Sequence, residues 1–143
     1  MRKLSLSLVC LAVLAGGCSA PKPADPFTAF LQEIEGEWVG VLTETAALDK
    51  KVVREMPMRL TIGPDGSTVE YPILACSGVL RAPPEGTPPP TETEARFMLV
   101  IEPAGISPCM SGLVKITRVD DALRYVFLGD TLRRVRAALV KRI

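Results

Sequence analysis

Residues 27–42, FTAFLQEIEGEWVGVL, change their hydrophobic period midway, and that change decides the fold. Phe27, Phe30, Leu31 and Ile34 recur at helical spacing. Asp25 and Pro26 stand where an N-cap and a first helical residue belong, and Gly36 can stop the helix. From Gly36 onward the period is about two. Glu37 to Thr45 carries Trp38, Gly40 and Leu42 on one face, while Met56, Met58, Leu60 and Ile62 alternate through the next apolar run. One short amphipathic helix therefore leads into strands.

The rest of the chain continues the strand pattern. Gly63-Pro64-Asp65-Gly66 is a turn, because Pro sets the first central position and Gly tolerates positive φ. Val69, Tyr71 and Ile73 begin a return strand expected to continue through Cys76 to Leu80. Ala82 to Thr93 holds five prolines, cannot supply the donors of a central strand and reads as an extended surface loop. Strands resume at Arg96 to Glu102, Gly112 to Val119 and Leu123 to Leu128, the last two joined by an Asp120-Asp121 turn. The C-terminal segment fits a helix through Leu132, Val135, Leu139 and Ile143, and a strand through Val135, Ala137 and Leu139. An open sheet edge invites aggregation, which favours a closing strand from Arg134 to Arg142 with Arg134, Arg136 and Arg142 facing outward. The expected fold is all-β: a small antiparallel β-barrel or sandwich of about seven or eight strands with one short N-terminal helix.

Composition removes several functions. A length of 143 residues fits one domain, and 48% apolar content is too high for a mainly disordered chain. The absence of histidine excludes Ser-His, Cys-His and His-metal constellations. A net charge of +1 argues against a dedicated nucleic-acid binder, so no nucleic acid is expected as partner.

At the N-terminus, Met1-Arg2-Lys3 followed by Leu4 to Leu14 has the charged start and short apolar run of a signal peptide. The run is shorter than the roughly 20 residues of a spanning helix. Leu14-Ala15-Gly16-Gly17-Cys18 resembles the bacterial lipoprotein signal box, although Ala15 stands where that family prefers Leu. The resemblance implies cleavage before Cys18 and lipidation of Cys18, a diacyl group on its sulfur anchoring the chain to a membrane. Ser19, where an Asp would mark inner-membrane retention, implies the outer membrane facing the periplasm in a Gram-negative cell. The domains expected are a signal peptide at 1–17, a lipidated tether at 18–24 and a single β domain at 25–143. The proline-containing tether reaches roughly 20 Å. Loss of Arg2 and Lys3 with the leader leaves 15 basic against 16 acidic residues, a formal charge of −1.

Of the four cysteines, Cys10 leaves with the leader and Cys18 carries lipid, so Cys76 and Cys109 remain in an oxidising compartment. A lone pair there most often forms a disulfide, and no C-x-x-C or histidine offers a zinc site instead. Closing a loop of about 33 residues contributes roughly 3 to 4 kcal/mol.

Phe30 to Trp38, ending in Gly36-Glu37-Trp38, resembles the opening of lipocalins and related calycins, where a short helix leads into a G-x-W at the first barrel strand. That resemblance implies that Trp38 closes one barrel end beneath a basic side chain, for which Arg134, Arg136 and Arg142 are the candidates. Trp38-x-Gly40, Tyr71-Pro72-Ile73-Leu74-Ala75-Cys76-Ser77-Gly78-Val79-Leu80, Glu102 and Cys109-x-x-Gly112-x-Val114 together resemble a recurrent module of small exported bacterial β-proteins. This second resemblance implies a fold and a disulfide and brings no catalytic residue; the proline-rich insert departs from it.

Residues for chemistry are few. G-x-S-x-G and P-loop patterns are missing, and Asp120-Asp121 lacks the ligand loop of a cation site. Ser111 and Lys115 would share a strand face, as solvated residues usually do, and nothing in the spacing of Glu44, Glu55, Glu70 and Glu102 selects an acid–base pair. The expectation is a non-enzyme with no cofactor and no metal. Possible ligand contacts are Trp38, Tyr71, Glu102 and Tyr125, with Glu102 at a barrel mouth or simply paired with an Arg. The site is expected at the barrel end bordered by Trp38, Glu102 and the Arg81 to Glu94 loop.

Two functions follow. One is a membrane-anchored binding module for a small apolar ligand or an envelope component; the other is a protein–protein device such as a lysozyme or protease inhibitor or an accessory subunit. A hollow interior favours the first, and a filled interior with an ordered proline-rich loop favours the second. Contact of the Arg-rich final strand with anionic headgroups is a further expectation, weakened by the overall charge.

Overall fold

The computed structural model describes residues 25–102 and 108–142. The signal segment, Cys18 and the tether lie outside the described residues.

Helix α1 (Pro26–Glu33) begins as its sequence dictates: Asp25 accepts hydrogen bonds from the Phe27 and Thr28 amides, both at 3.2 Å, satisfying two orphan donors. Eight strands follow: β1 (Gly36–Ala46), β2 (Val52–Gly63), β3 (Gly66–Tyr71), β4 (Cys76–Arg81), β5 (Glu94–Glu102), β6 (Gly112–Val119), β7 (Ala122–Phe127) and β8 (Arg133–Lys141). Each pairs antiparallel with the next, and β8 returns to pair with β1, so the meander closes into a barrel. Closure removes both edges, which the sequence sought in its final strand. At Gly40 the register with β8 brings the backbones so close that a Cβ would strike the Ala138 carbonyl and the Leu139 side chain.

Alternation sends Leu42, Met58, Leu60, Val69, Phe97, Leu99, Val114, Ile116, Leu123, Tyr125 and Leu139 inward, where they are buried. Eight strands leave an interior just wide enough for side chains to fill. One end is closed by α1: Phe27 and Phe30 lie 6.0 and 6.1 Å from the Phe97 ring, and Ile34 is buried beneath them.

The strands expected at Gly112 to Val119, Leu123 to Leu128 and Arg134 to Arg142 form within a residue or so of their expected bounds. The return strand does not continue from Val69 to Leu80. A 3₁₀ turn at Pro72–Leu74 and a left-handed Ala75 (φ 52°) reverse the chain, giving β3 and β4 and leaving Ile73 69% exposed. Pro72 supplies the turn's fixed φ and lacks the amide a ladder needs.

Candidate functional site

Successive strands of a meander run in opposite directions, so the loops alternate between ends. The α1 end holds Trp38, the Gly63–Gly66 turn and the proline-rich loop. The opposite end holds the β1–β2 loop, the Pro72–Ala75 turn, residues 108–111 before β6, and the β7–β8 loop.

At the α1 end Trp38 is a structural residue. It is 6% exposed, and its indole Nε1 donates to the Ile34 carbonyl at 2.9 Å, locking the helix exit onto the first strand. The basic cover is Lys141, whose Nζ lies 5.6 Å from the ring centroid, in place of the expected arginines. Arg134 and Arg136 face outward from β8, and Arg142 pairs with Glu37 at 3.0 Å. β8 meets β1 with Lys141 opposite Trp38, which gives the position over the indole to the lysine.

Glu102 is not at a mouth with Trp38. It ends β5, a full strand from the Arg81 to Glu94 loop that enters it, and its carboxylate lies on the outer wall 3.4 Å from Arg81. The expected grouping of Trp38, Glu102 and the proline-rich loop therefore does not assemble. Ser111 is likewise occupied, its Oγ accepting from the Ile101 amide at 2.9 Å.

The other mouth carries polar groups on inward positions. Continuing the alternation Trp38, Gly40, Leu42 reaches Glu44, which is buried. Its two carboxylate oxygens accept from Arg54 at 2.6 Å and Arg133 at 3.2 Å, one oxygen to each arginine. The buried Arg54 Nε–H has no hydrogen-bond partner among the described residues. Deeper inside, the hydroxyls of Tyr71 and Tyr125 share a hydrogen bond of 2.8 Å. Burial pushes the Tyr71 phenol up to about 12, with the Glu44 carboxylate adding to the rise and the bond to Tyr125 opposing it. Burial holds the Tyr125 phenol well above its usual range too, so both stay neutral at physiological pH.

Above these groups lies a cavity of about 110 Å³, walled by Leu42, Met56, Phe127 and Val135 and bordered by Cys109 and Met110. The Cys76–Cys109 disulfide forms as expected, tying the start of β4 to the segment after β5. Asp130 also faces the cavity, while its carboxylate caps the Leu132 and Arg133 amides at 2.8 and 3.1 Å. Glu44 and Asp130 balance Arg54 and Arg133, so a neutral occupant suits the cavity. Loops at this end carry exposed apolar side chains, Leu48, Ile73 and Leu132, and Met110 is exposed at the cavity itself. Among the described residues no cluster of three or more His, Cys, Asp and Glu side chains forms.

Of the expected contacts, Tyr71 and Tyr125 meet inside the barrel, whereas Trp38 and Glu102 lie away from them. The sequence reading missed Glu44, Arg54 and Arg133 as a group. Glu44 was accessible through strand parity alone, two residues beyond Leu42. No family model and no curated protein matches this chain. What the fold itself defines is a closed eight-stranded meander barrel with a filled interior and one polar, partly open mouth.

Proposed function

We propose that the chain is a lipid-anchored extracytoplasmic binding module that engages a protein partner through the Glu44 mouth, without chemistry of its own. The observation that carries this reading is the filled interior. The cavity at the mouth, about 110 Å³, is smaller than the roughly 150 Å³ that admits benzene, and far too small for a lipid chain. A small apolar ligand held in a calyx, the other reading open to the sequence, finds no comparable space there.

The mouth suits one apolar side chain on a partner's loop. Met110, 53% exposed, lines a socket of that size, and Leu132 and Ile73, 77% and 69% exposed, stand on loops at the same end. Buried apolar anchors of this kind carry most of the energy of protein interfaces. Anchoring through Cys18 supports the placement, because more than one acyl chain gives stable attachment where a single one does not. The lipobox resemblance and the likeness to lipocalins are part of this proposal.

A photo-crosslinker at Leu132 in intact cells is expected to give one discrete protein adduct that the same group at Thr87 does not. No adduct from Leu132, with a small molecule recovered in equal molar amount from the purified protein, would replace the partner with a ligand. Cys18→Ser is expected to release the chain from the membrane or leave an uncleaved precursor, and unchanged fractionation and mobility would remove the anchor.

A further inference from the structure

The described residues include ten arginines, and their pairing divides by position. Six hold carboxylates: Arg54 and Arg133 on Glu44, Arg59 on Glu37 and Glu70, Arg81 on Glu102, Arg118 on Glu33, and Arg142 on Glu37. The other four, Arg96, Arg124, Arg134 and Arg136, make no ion pair among the described residues, and all four point outward from β5, β7 and β8.

Register places them together. Arg96 pairs with Lys115, Lys115 with Val126, and Val126 with Arg136, forming one outward row across β5 to β8. Arg124 and Arg134 flank that row on β7 and β8. At about 4.8 Å between strands the row spans roughly 15 Å. Of the two acidic residues that β5 turns outward, Glu94 is engaged by Lys115 at 3.7 Å and Glu102 by Arg81 at 3.4 Å. Between the cations stand outward aliphatic residues, among them Val126, Ala138 and the 59% exposed Val140. The β1 to β4 half differs: its outward Glu37 and Glu70 neutralise Arg59, and Glu55 adds a further negative charge.

We infer that the β5–β8 wall is a membrane-contacting face whose four unpaired arginines take the phosphates of anionic lipid headgroups. Guanidinium groups match phosphate geometry, and the interleaved aliphatic side chains suit the boundary beneath the headgroups. Outward arginines left without carboxylates, Arg96 half-buried and the other three exposed, are free to make these contacts without first breaking a bond. The face is separate from the Glu44 mouth, so it stands whether or not that mouth takes a protein. On a lipid-anchored chain it adds to the acyl attachment and lays the barrel on its side, leaving both ends clear.

The test uses the full chain carrying Cys18→Ser, so that no acyl group contributes, and vesicles of phosphatidylcholine with or without phosphatidylglycerol. The readout is the increment in binding that phosphatidylglycerol adds, which sets aside apolar binding common to both vesicles. That increment is expected to fall about fivefold for each arginine replaced by Gln at 96, 124, 134 and 136, and to shrink with added salt. Arg59→Gln on the other half, where both its carboxylate partners lie, changes net charge as much as each single replacement and is expected to leave the increment unchanged. An undiminished increment in the fourfold variant overturns the proposal. So does equal loss with Arg59→Gln, which would mean net charge alone acts. Tighter binding to soluble polyphosphate than to vesicles, at equal phosphate, would reassign the wall to a soluble polyanion.

Discussion

The two ends of this barrel are closed by opposite means. At the α1 end, Phe27 and Phe30 pack on Phe97 with Ile34 and Trp38 buried in the same core, and attachment comes from apolar burial plus the indole bond to Ile34. At the other end, Glu44 with its two arginines, the tyrosine pair and a disulfide take that place around a cavity. Burial without polar groups fills space completely and exposes nothing to recognise. Polar groups and a covalent link hold their end in shape without filling it, so recognition has somewhere to occur.

The contrast can be broken most directly at Phe97, 1% exposed and the platform for both helix phenylalanines. Phe97→Ala is expected to cost about 3 to 5 kcal/mol in urea denaturation. A loss below about 1 kcal/mol would mean that the helix is a loose lid and that the two ends are held alike. Replacing Cys76 and Cys109 by Ser together is expected to cost roughly 3 to 4 kcal/mol and to loosen the mouth before the α1 end. Hydrogen exchange resolves that order, and simultaneous loosening would show one cooperative unit where two are drawn.

The tyrosine pair sharpens the contrast by pH. The chain has two tyrosines and both are buried, so the folded protein should show no phenolate absorbance near pH 10, where the unfolded chain ionises. The Tyr71 pKa is raised on folding, so its contribution to stability is complete below about pH 10 and is lost as pH rises through about 12. Tyr125→Phe strands the Tyr71 hydroxyl and is expected to cost about 1 to 3 kcal/mol. A normal phenolate titration in the folded state would place water at this bond.

The smallest effect is expected from deleting Pro83 to Pro90. Loop length changes closure entropy slowly, so stability should move by less than about 1 kcal/mol. Because the loop lies at the α1 end, crosslinking from Leu132 should be unaffected. Loss of that adduct would move recognition from the mouth to the loop, as the sequence alone suggested.

The fold was legible because its signals are local and repeated. Alternation in Met56, Met58, Leu60 and Ile62 and turn chemistry at Gly63 to Gly66 each point to the same strands. The break at Pro72 to Ala75 was hidden because apolar alternation runs through it and because Ala75 carries no glycine to announce a left-handed residue. That unread turn mattered beyond its own length, since a missed reversal inverts every later strand and brings Glu102 to the Trp38 end on paper. The mouth itself was harder to see. Glu44 is marked by its inward parity, but Arg133 reaches it across a sequence separation of 89 residues, which only ring closure makes short. The basic wall was masked differently: near-neutral net charge sums the two halves of the barrel and erases their difference.

Ring closure also sets a timetable. Trp38 pairs with Lys141, so the first strand, although β2 covers one of its edges locally, waits for a partner on the other edge about 100 residues away. Folding rates fall as such distant contacts come to dominate a topology, because the chain loses freedom before the contacts reward it. Until β8 has been synthesised, β1 and β7 each present a bare edge to any other chain. The last strand thus acts as a completion signal: fragments ending before Arg133 are expected to remain open and vulnerable to proteases, while the intact chain seals in a single late step.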